Sequence, residues 1–315
     1  MRTKHPRISL IVPVYNEQSN VSWHYDQMVT FLNQHEYAYE LWYVDDGSVD
    51  DSLAIIKEIC KKDSDAHYLS FSRNFGKEAA LTAGLQKATG DVVVGIDADG
   101  QYPLDALHAM ITQWQAGYDI VIGVRTSNHD QTVIKRLGSK AFYRFLKMLD
   151  SQQEVVSAAT DFRLLDRRVV DEFNKLTERN RITRNLIDWL GFKRTYVEFE
   201  ALDRHAGTAT YSFNKKLKLA TDGIVKHSTK PLKFIGGVGL LVSLLSVTAA
   251  ILLIIEKYML GDPLNLAITG TAILALLLSF LIGIVLVCQG LLALYLENVY
   301  HETQNRPLYI IREEQ

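Results

Sequence analysis

The ten residues Val92–Gln101, Val-Val-Val-Gly-Ile-Asp-Ala-Asp-Gly-Gln, decide the fold. A short Val- and Ile-rich run without polar alternation is the pattern of a strand buried on both faces of a parallel sheet, and it predicts a strand over 92–96. The run stops at two carboxylates and an amide in alternate positions, Asp97, Asp99 and Gln101. Oxygens spaced in this way at a strand end can converge on one hard cation, Mg2+ or Mn2+, that keeps positions open for a diphosphate. The blander reading is a polar turn, since Asp and Gly favour turns in any case.

Outward from this stretch the pattern repeats. Apolar runs at 8–14, 41–44, 68–71 and 120–124 alternate with helically spaced segments at 21–32, 52–62, 77–87 and 103–115. Pro103 suits a first helical turn, and Gly90 and Gly117 sit where helices should stop. Such alternation predicts a right-handed, doubly wound α/β sheet, whose ligands bind beyond the carboxyl ends of the strands. The polar residues at those ends are therefore the candidates. The first strand runs into Pro13-Val14-Tyr15-Asn16-Glu17, where Tyr15 offers a stacking face and Glu17 an acceptor. The second runs into Asp45-Asp46-Gly47-Ser48, where a carboxylate can accept hydrogen bonds from a uracil or a ribose, or where Ser48 or Asp50 can cap the next helix. No GxGxxG or GxxxxGK[ST] stretch occurs, so phosphates would be neutralised by metal and basic side chains rather than by a backbone cradle.

Over 315 residues the formal net charge is −2, which gives no global basic field for nucleic acid. Two cysteines, Cys60 and Cys288, allow no disulfide framework and fit a reducing, cytosolic setting. From 135 to 211 the reading is mixed, with helices near 133–149, 166–176 and 182–190 and a strand at 194–199. Residues 212–233 form a basic amphipathic segment, read as an interfacial helix. Residues 234–255 carry no charge, nor do residues 264–296, and about 20 apolar residues span a bilayer. The pair predicts a transmembrane hairpin with spans near 234–255 and 267–296, and the lysines before the first span put both termini in the cytosol. The expected organisation is thus a cytosolic domain over 1–211, the juxtamembrane segment, the hairpin over 234–296 and a cytosolic tail over 297–315, a multi-pass protein of the inner (cytoplasmic) membrane. Gly236, Gly237 and Gly239 would let spans pack closely, within one chain or between protomers of a homo-oligomer.

Taken in order, PVYNE, DDGS and DADGQ resemble the family-two inverting glycosyltransferases with the GT-A-type fold, and more narrowly the polyprenyl-phosphate group that includes bactoprenol glucosyltransferases and dolichyl-phosphate mannose synthase. Ser72–Lys77 and Asp161-Phe162-Arg163-Leu164 resemble the bacterial subgroup. The resemblance implies a GT-A-type mixed sheet and transfer of a hexose, glucose first and N-acetylglucosamine or galactose behind it, from a UDP-sugar to undecaprenyl phosphate. It further implies that Pro13, Tyr15, Glu17, Asp45 and Asp46 line the nucleoside pocket, and that Asp97 faces the ribose and diphosphate. Asp99 and Gln101 would hold Mg2+ or Mn2+, Arg125 would neutralise a phosphate, and Lys135, Arg136, Ser139 and Arg204 would meet the lipid phosphate. The loop at Arg204 departs from the group's pattern, with Ala209 and Thr210 where serine and lysine are usual. Asp161 either orients the sugar hydroxyls or a basic neighbour, or caps the helix beginning near Asp166. Competing readings are a polysaccharide synthase with a sugar acceptor, whose Gln-x-x-Arg-Trp stretch is absent, and a non-enzymatic scaffold, which intact DADGQ and DDGS disfavour.

Overall fold

The computed structural model describes residues 2–3, 5–126, 159–179, 181–202, 248, 255 and 270–315. In chain order the elements are β1 (Ile8–Val14), α1 (Val21–Gln34), β2 (Tyr39–Asp45), α2 (Ser52–Lys62), β3 (Ala66–Phe71), α3 (Lys77–Lys87), β4 (Val92–Gly95), α4 (Leu104–Gln115) and β5 (Ile120–Arg125). There follow β6 (Ala159–Asp166), α5 (Arg167–Lys175), α6 (Thr183–Trp189), β7 (Arg194–Phe199), α7 (Gly270–Thr303) and β8 (Ile311–Glu314). By contacts the chain divides into two compact units, one of Met1–Gln131, Glu154–Thr210 and Asn305–Gln315, the other of Thr132–Gln153 and Tyr211–Gln304.

The first unit is built on one eight-stranded sheet of order β7-β5-β6-β4-β1-β2-β3-β8. β1 to β4 are mutually parallel, as their unbroken apolar runs predict, with Ile8 opposite Tyr39 on one side and Val92 on the other. Both faces are covered. Ile8, Leu10, Val12 and Val14 point to a core shared with α1, α2 and α4, while Ile11, Val44, Leu69 and Val93 point to a second core under α3, α5 and α6. Each such side chain, fully buried, contributes roughly 1.5–3 kcal/mol to the folded state.

Two strands depart from the parallel pattern. β6 runs antiparallel between β4 and β5, so the sheet is mixed rather than all parallel. Its sequence alternates, Thr160-Asp161-Phe162-Arg163-Leu164, because Asp161 and Arg163 share one face and Phe162 and Leu164 the other. β8 adds antiparallel to β3 at the sheet edge, within residues expected to be a simple tail. Lys57 Nζ lies 2.6 Å from Glu313, Lys87 Nζ lies 2.9 Å from Glu314, and the ring of Tyr309 stacks on Phe71 at 4.9 Å. The carbonyl of Ile310 also accepts from the N–H of Ser72 at 3.0 Å.

The expected multi-pass placement in the inner membrane, with the catalytic domain and both termini in the cytosol, is corrected here. A span needs about 20 consecutive apolar residues in one helix. Among the described residues no helix is long and apolar enough to cross a membrane. Where the second span was expected stands α7, whose last turns carry Glu297 and Glu302. The juxtamembrane segment, the glycines at 236–239 and, apart from Thr248 and Ile255, the first expected span lie outside the described residues.

Candidate functional site

The candidates collect beyond the carboxyl ends of β1, β2, β4 and β5, in two linked groups. At the ends of β1 and β2 the two loops are stitched together. Asn16 N–H donates to Ser48 Oγ at 3.0 Å, Val49 N–H to Asn16 Oδ1 at 2.9 Å, and Glu17 N–H to Ser52 Oγ at 2.8 Å. Pro13 is half-buried on β1, Tyr15 stands exposed past its end, and Glu17 accepts from Asn20 Nδ2 at 2.5 Å. Asp45 is buried and accepts from Ser48 N–H at 3.0 Å and Ser70 Oγ at 2.8 Å. Gly47 closes the turn at φ +69°, where a Cβ would stand 2.5 Å from the Arg73 carbonyl carbon, so only glycine fits.

Asp46 links this group to the next. Its carboxylate accepts from Phe75 N–H at 2.6 Å and Gly76 N–H at 2.9 Å, which fixes the entry to α3. Burial pushes its pKa up, against the pull of those two N–H groups. α3 then begins with Lys77, whose Nζ lies 2.7 Å from Asp97 Oδ1 and 3.3 Å from Asp161 Oδ2. Burial works against the Lys77 charge, but the carboxylates of Asp97 and Asp161 outweigh it and hold the ammonium well above the usual lysine range. One cation therefore bridges the ends of β4 and β6.

Around that bridge, Tyr102 Oη donates to Asp97 Oδ2 at 3.4 Å while its ring stacks on Phe162 at 4.7 Å. Asp99 is buried and accepts from Gln101 N–H at 3.2 Å. Gln101 Oε1 accepts from Arg125 Nη2 at 3.1 Å, and Arg125 Nε is buried without a hydrogen-bond partner among the described residues. Gly100 turns the loop at φ +75°, and a Cβ there would meet the Trp23 ring at 2.3 Å. Arg184 on α6 approaches Asp161 Oδ1 at 4.0 Å.

The structure thus brings Asp97, Asp99, Gln101, Arg125 and Asp161 into one cluster and Pro13, Tyr15, Glu17, Asp45 and Asp46 into a neighbouring one. Lys135, Arg136, Ser139 and Arg204 lie outside the described residues. The cap of α5 is Asp166, which accepts from Arg168 N–H, so Asp161 is not spent on capping. Sequence reading gave no role to Lys77, Tyr102 or Arg184. A lysine at a helix start reads as a solvated charge, and only its spacing to two strand-end carboxylates in space shows otherwise. Asp99 and Gln101 offer hard oxygens of the kind Mg2+ or Mn2+ takes, while Asp97 is held by Lys77 and Tyr102. Among the described residues no three His, Cys, Asp or Glu side chains meet to cage an ion.

Comparison with known proteins bears on the same residues. The description "Glycosyl transferase family 2" matches residues 9–173, which hold β1 through β6 and every strand-end motif above. An uncharacterised glycosyltransferase of Bacillus subtilis, YkcC, is 38% identical over 98% of this chain and 94% of its own. A bactoprenol glucosyl transferase of Shigella phage SfII is 35% identical over 97% of each chain. Glucosyl-3-phosphoglycerate synthase of Mycobacterium tuberculosis, solved with Mn2+, UDP and phosphoglyceric acid, is 18% identical over 70% of this chain and 76% of its own, with a TM-score of 0.48. The mixed sheet is GT-A-like, and with a family match over half the chain and near full-length relatives above 30% identity, this chain belongs to glycosyl transferase family 2 and is a glycosyltransferase.

Proposed function

We propose that the enzyme transfers a hexose, glucose in first place, from a UDP-sugar to a polyprenyl phosphate such as undecaprenyl phosphate, with inversion. The observation that carries this reading is the state of Asp161. A transferase with an alcohol acceptor needs a carboxylate to take the alcohol's proton. Asp161 lies 3.3 Å from Lys77 Nζ and 4.0 Å from Arg184 Nη1, so its carboxylate oxygens are engaged by the protein's own cations rather than turned to an acceptor alcohol. A phosphate monoester needs no base, because its second pKa is about 6 and it is mostly a dianion at neutral pH. The near full-length similarity to proteins named bactoprenol glucosyl transferase supports the same acceptor.

In the proposed step an acceptor phosphate oxygen forms a bond to the anomeric carbon from the face opposite the diphosphate. The bond from that carbon to the diphosphate oxygen breaks, and the electron pair leaves with UDP. No proton has to move. The difficulty is bringing one anion onto a carbon beside another, which calls for cations. Arg125, tied to Gln101, and Lys77, tied to Asp97, supply two of them from the described residues. Mg2+ or Mn2+ bound by Asp99 and Gln101 would add charge neutralisation at the diphosphate. Pro13, Tyr15, Glu17, Asp45 and Asp46 are assigned to the nucleoside side, Asp97 to the ribose and diphosphate, and Lys135, Arg136, Ser139 and Arg204 to the acceptor phosphate.

The test is purified enzyme with undecaprenyl phosphate and radiolabelled UDP-glucose, UDP-N-acetylglucosamine or UDP-galactose. Label should move into the organic-extractable lipid, fastest from UDP-glucose. Label appearing only in a growing oligosaccharide would replace this reading with that of a polysaccharide synthase.

A further inference from the structure

The cations expected for the acceptor lie outside the described residues, yet β6 and α6 bring another, Arg184, beside Asp161. We propose that Arg184 is a contact for the acceptor's phosphate monoester, parked on Asp161 until the acceptor arrives. This rests on the phosphate-acceptor reading above and names a residue that neither the sequence motifs nor the comparisons single out.

Three features of the structure converge on Arg184. The first is that its helix is held in place from outside. α6 has seven residues, too few for its own hydrogen bonds to fix it. Glu78 Oε2 accepts from Thr183 N–H at 2.7 Å, and the buried Arg163 forks onto Asp188 at 2.8 and 3.3 Å while donating to the Arg184 carbonyl at 3.3 Å. The backbone of Arg184 is therefore anchored even though its side chain is half-exposed.

The second is the looseness of its present contact. Arg184 Nη1 is 4.0 Å from Asp161 Oδ1, beyond hydrogen-bond reach, whereas Lys77 Nζ is 2.7 Å from Asp97. A long, part-solvated ion pair is cheaply exchanged for a better anion. A phosphate dianion offers that, since two of its oxygens can be met at once by the planar fork of an Arg.

The third is the surface beneath. Asp161, Thr183 and Arg184 line one cleft with Leu81, Leu85 and Ile187, so a cation stands beside an apolar wall. Leu81, Leu85 and Ile187 are themselves buried, so what the cleft offers a ligand is its polar rim, where Arg184 stands. Asp161 and Arg163 sit two residues apart on β6, so a single strand carries both the carboxylate that parks the cation and the latch that fixes its helix.

The experiment is steady-state kinetics of the full chain with undecaprenyl phosphate and UDP-glucose varied in turn, for the wild type, Arg184→Gln and Arg184→Lys, with UDP binding followed separately by calorimetry. Arg184→Gln should raise the acceptor KM about ten- to a hundred-fold, as loss of one charge-assisted contact does. Donor KM and UDP affinity should stay within about twofold, and Arg184→Lys should recover part of the acceptor KM. An unchanged acceptor KM in Arg184→Gln, or equal rises in donor and acceptor KM, would overturn the assignment. Wild-type transfer to polyprenol but not to polyprenyl phosphate would overturn the phosphate-acceptor reading and this assignment with it.

Discussion

His24 makes the stability of the catalytic unit sensitive to acid in a calculable way. It lies on α1 next to Trp23, is buried, and neither ring nitrogen has a hydrogen-bond partner among the described residues. Burial lowers its pKa to about 4, with the nearby charge of Asp97 opposing part of that shift. In the unfolded chain a histidine titrates near 6.5, so the unfolded state binds more protons throughout the window from pH 6.5 to 4. The contribution of this site to stability is fully present above pH 6.5 and is lost as the pH falls toward 4. A difference of about 2.5 pH units at about 1.36 kcal/mol each gives roughly 3 kcal/mol, a large share of the 5–15 kcal/mol that holds a typical domain. The assay is urea unfolding of the wild type and His24→Leu at several values between pH 7 and 4. Carboxylate effects are common to both proteins and cancel in the difference. The wild type should lose about 3 kcal/mol more than the variant across the window. At pH 7 the variant should be little affected, because it removes two unpaired ring nitrogens along with the ring. Parallel pH dependences would refute the reasoning and mean that His24 is protonated or hydrated in the folded state.

Asp99→Ala should abolish transfer while leaving circular dichroism unchanged, and a chelator should do the same to the wild type; full activity in either case removes the metal assignment. Gly100→Ala forces a Cβ onto the Trp23 ring at positive φ, a conformation costing roughly 1–2 kcal/mol before the clash, so activity should fall and tryptophan emission shift together. Arg163→Ala removes the buried guanidinium that holds the half-buried Asp188 and the Arg184 carbonyl and should destabilise by about 1–3 kcal/mol in thermal unfolding, whereas the double variant Arg163→Leu, Asp188→Leu should recover much of that loss.

The parallel half of the fold was legible because its strands are buried on both faces and write that burial as unbroken Val and Ile. Arg194–Phe199 was likewise read with the bounds the structure shows. β6 escaped because Asp161 and Arg163 break its apolar run, and a strand whose one face carries an ion-paired carboxylate and a buried guanidinium reads as a motif, not as sheet. β8 escaped because Ile311-Arg312-Glu313-Glu314 is an edge strand with charged partners, Lys57 and Lys87, that are distant in sequence. At the site, the strand-end carboxylates were found from their position after apolar runs. Lys77 and Arg184 were not, since what gives them meaning is the fold's juxtaposition of α3 and α6 with β6. The long apolar runs were read as spans from their length, their lack of charge and their tandem order, and the membrane placement built on them is overturned, since no described helix is long and apolar enough to cross a membrane.

The pairing of β8 with β3 also sets a timetable for biosynthesis. About 240 residues separate Phe71 from Ile311, two residues that face each other in the finished sheet. At 5–20 residues per second, β3 leaves the ribosome roughly 10–50 s before its neighbour exists. Through that interval its outer N–H and C=O groups stand open, and an open strand edge templates pairing with any other chain. Nascent chains on one message carry the same bare edge side by side, so whatever shields residues 66–71 during translation should govern the yield of folded enzyme more than the final stability does.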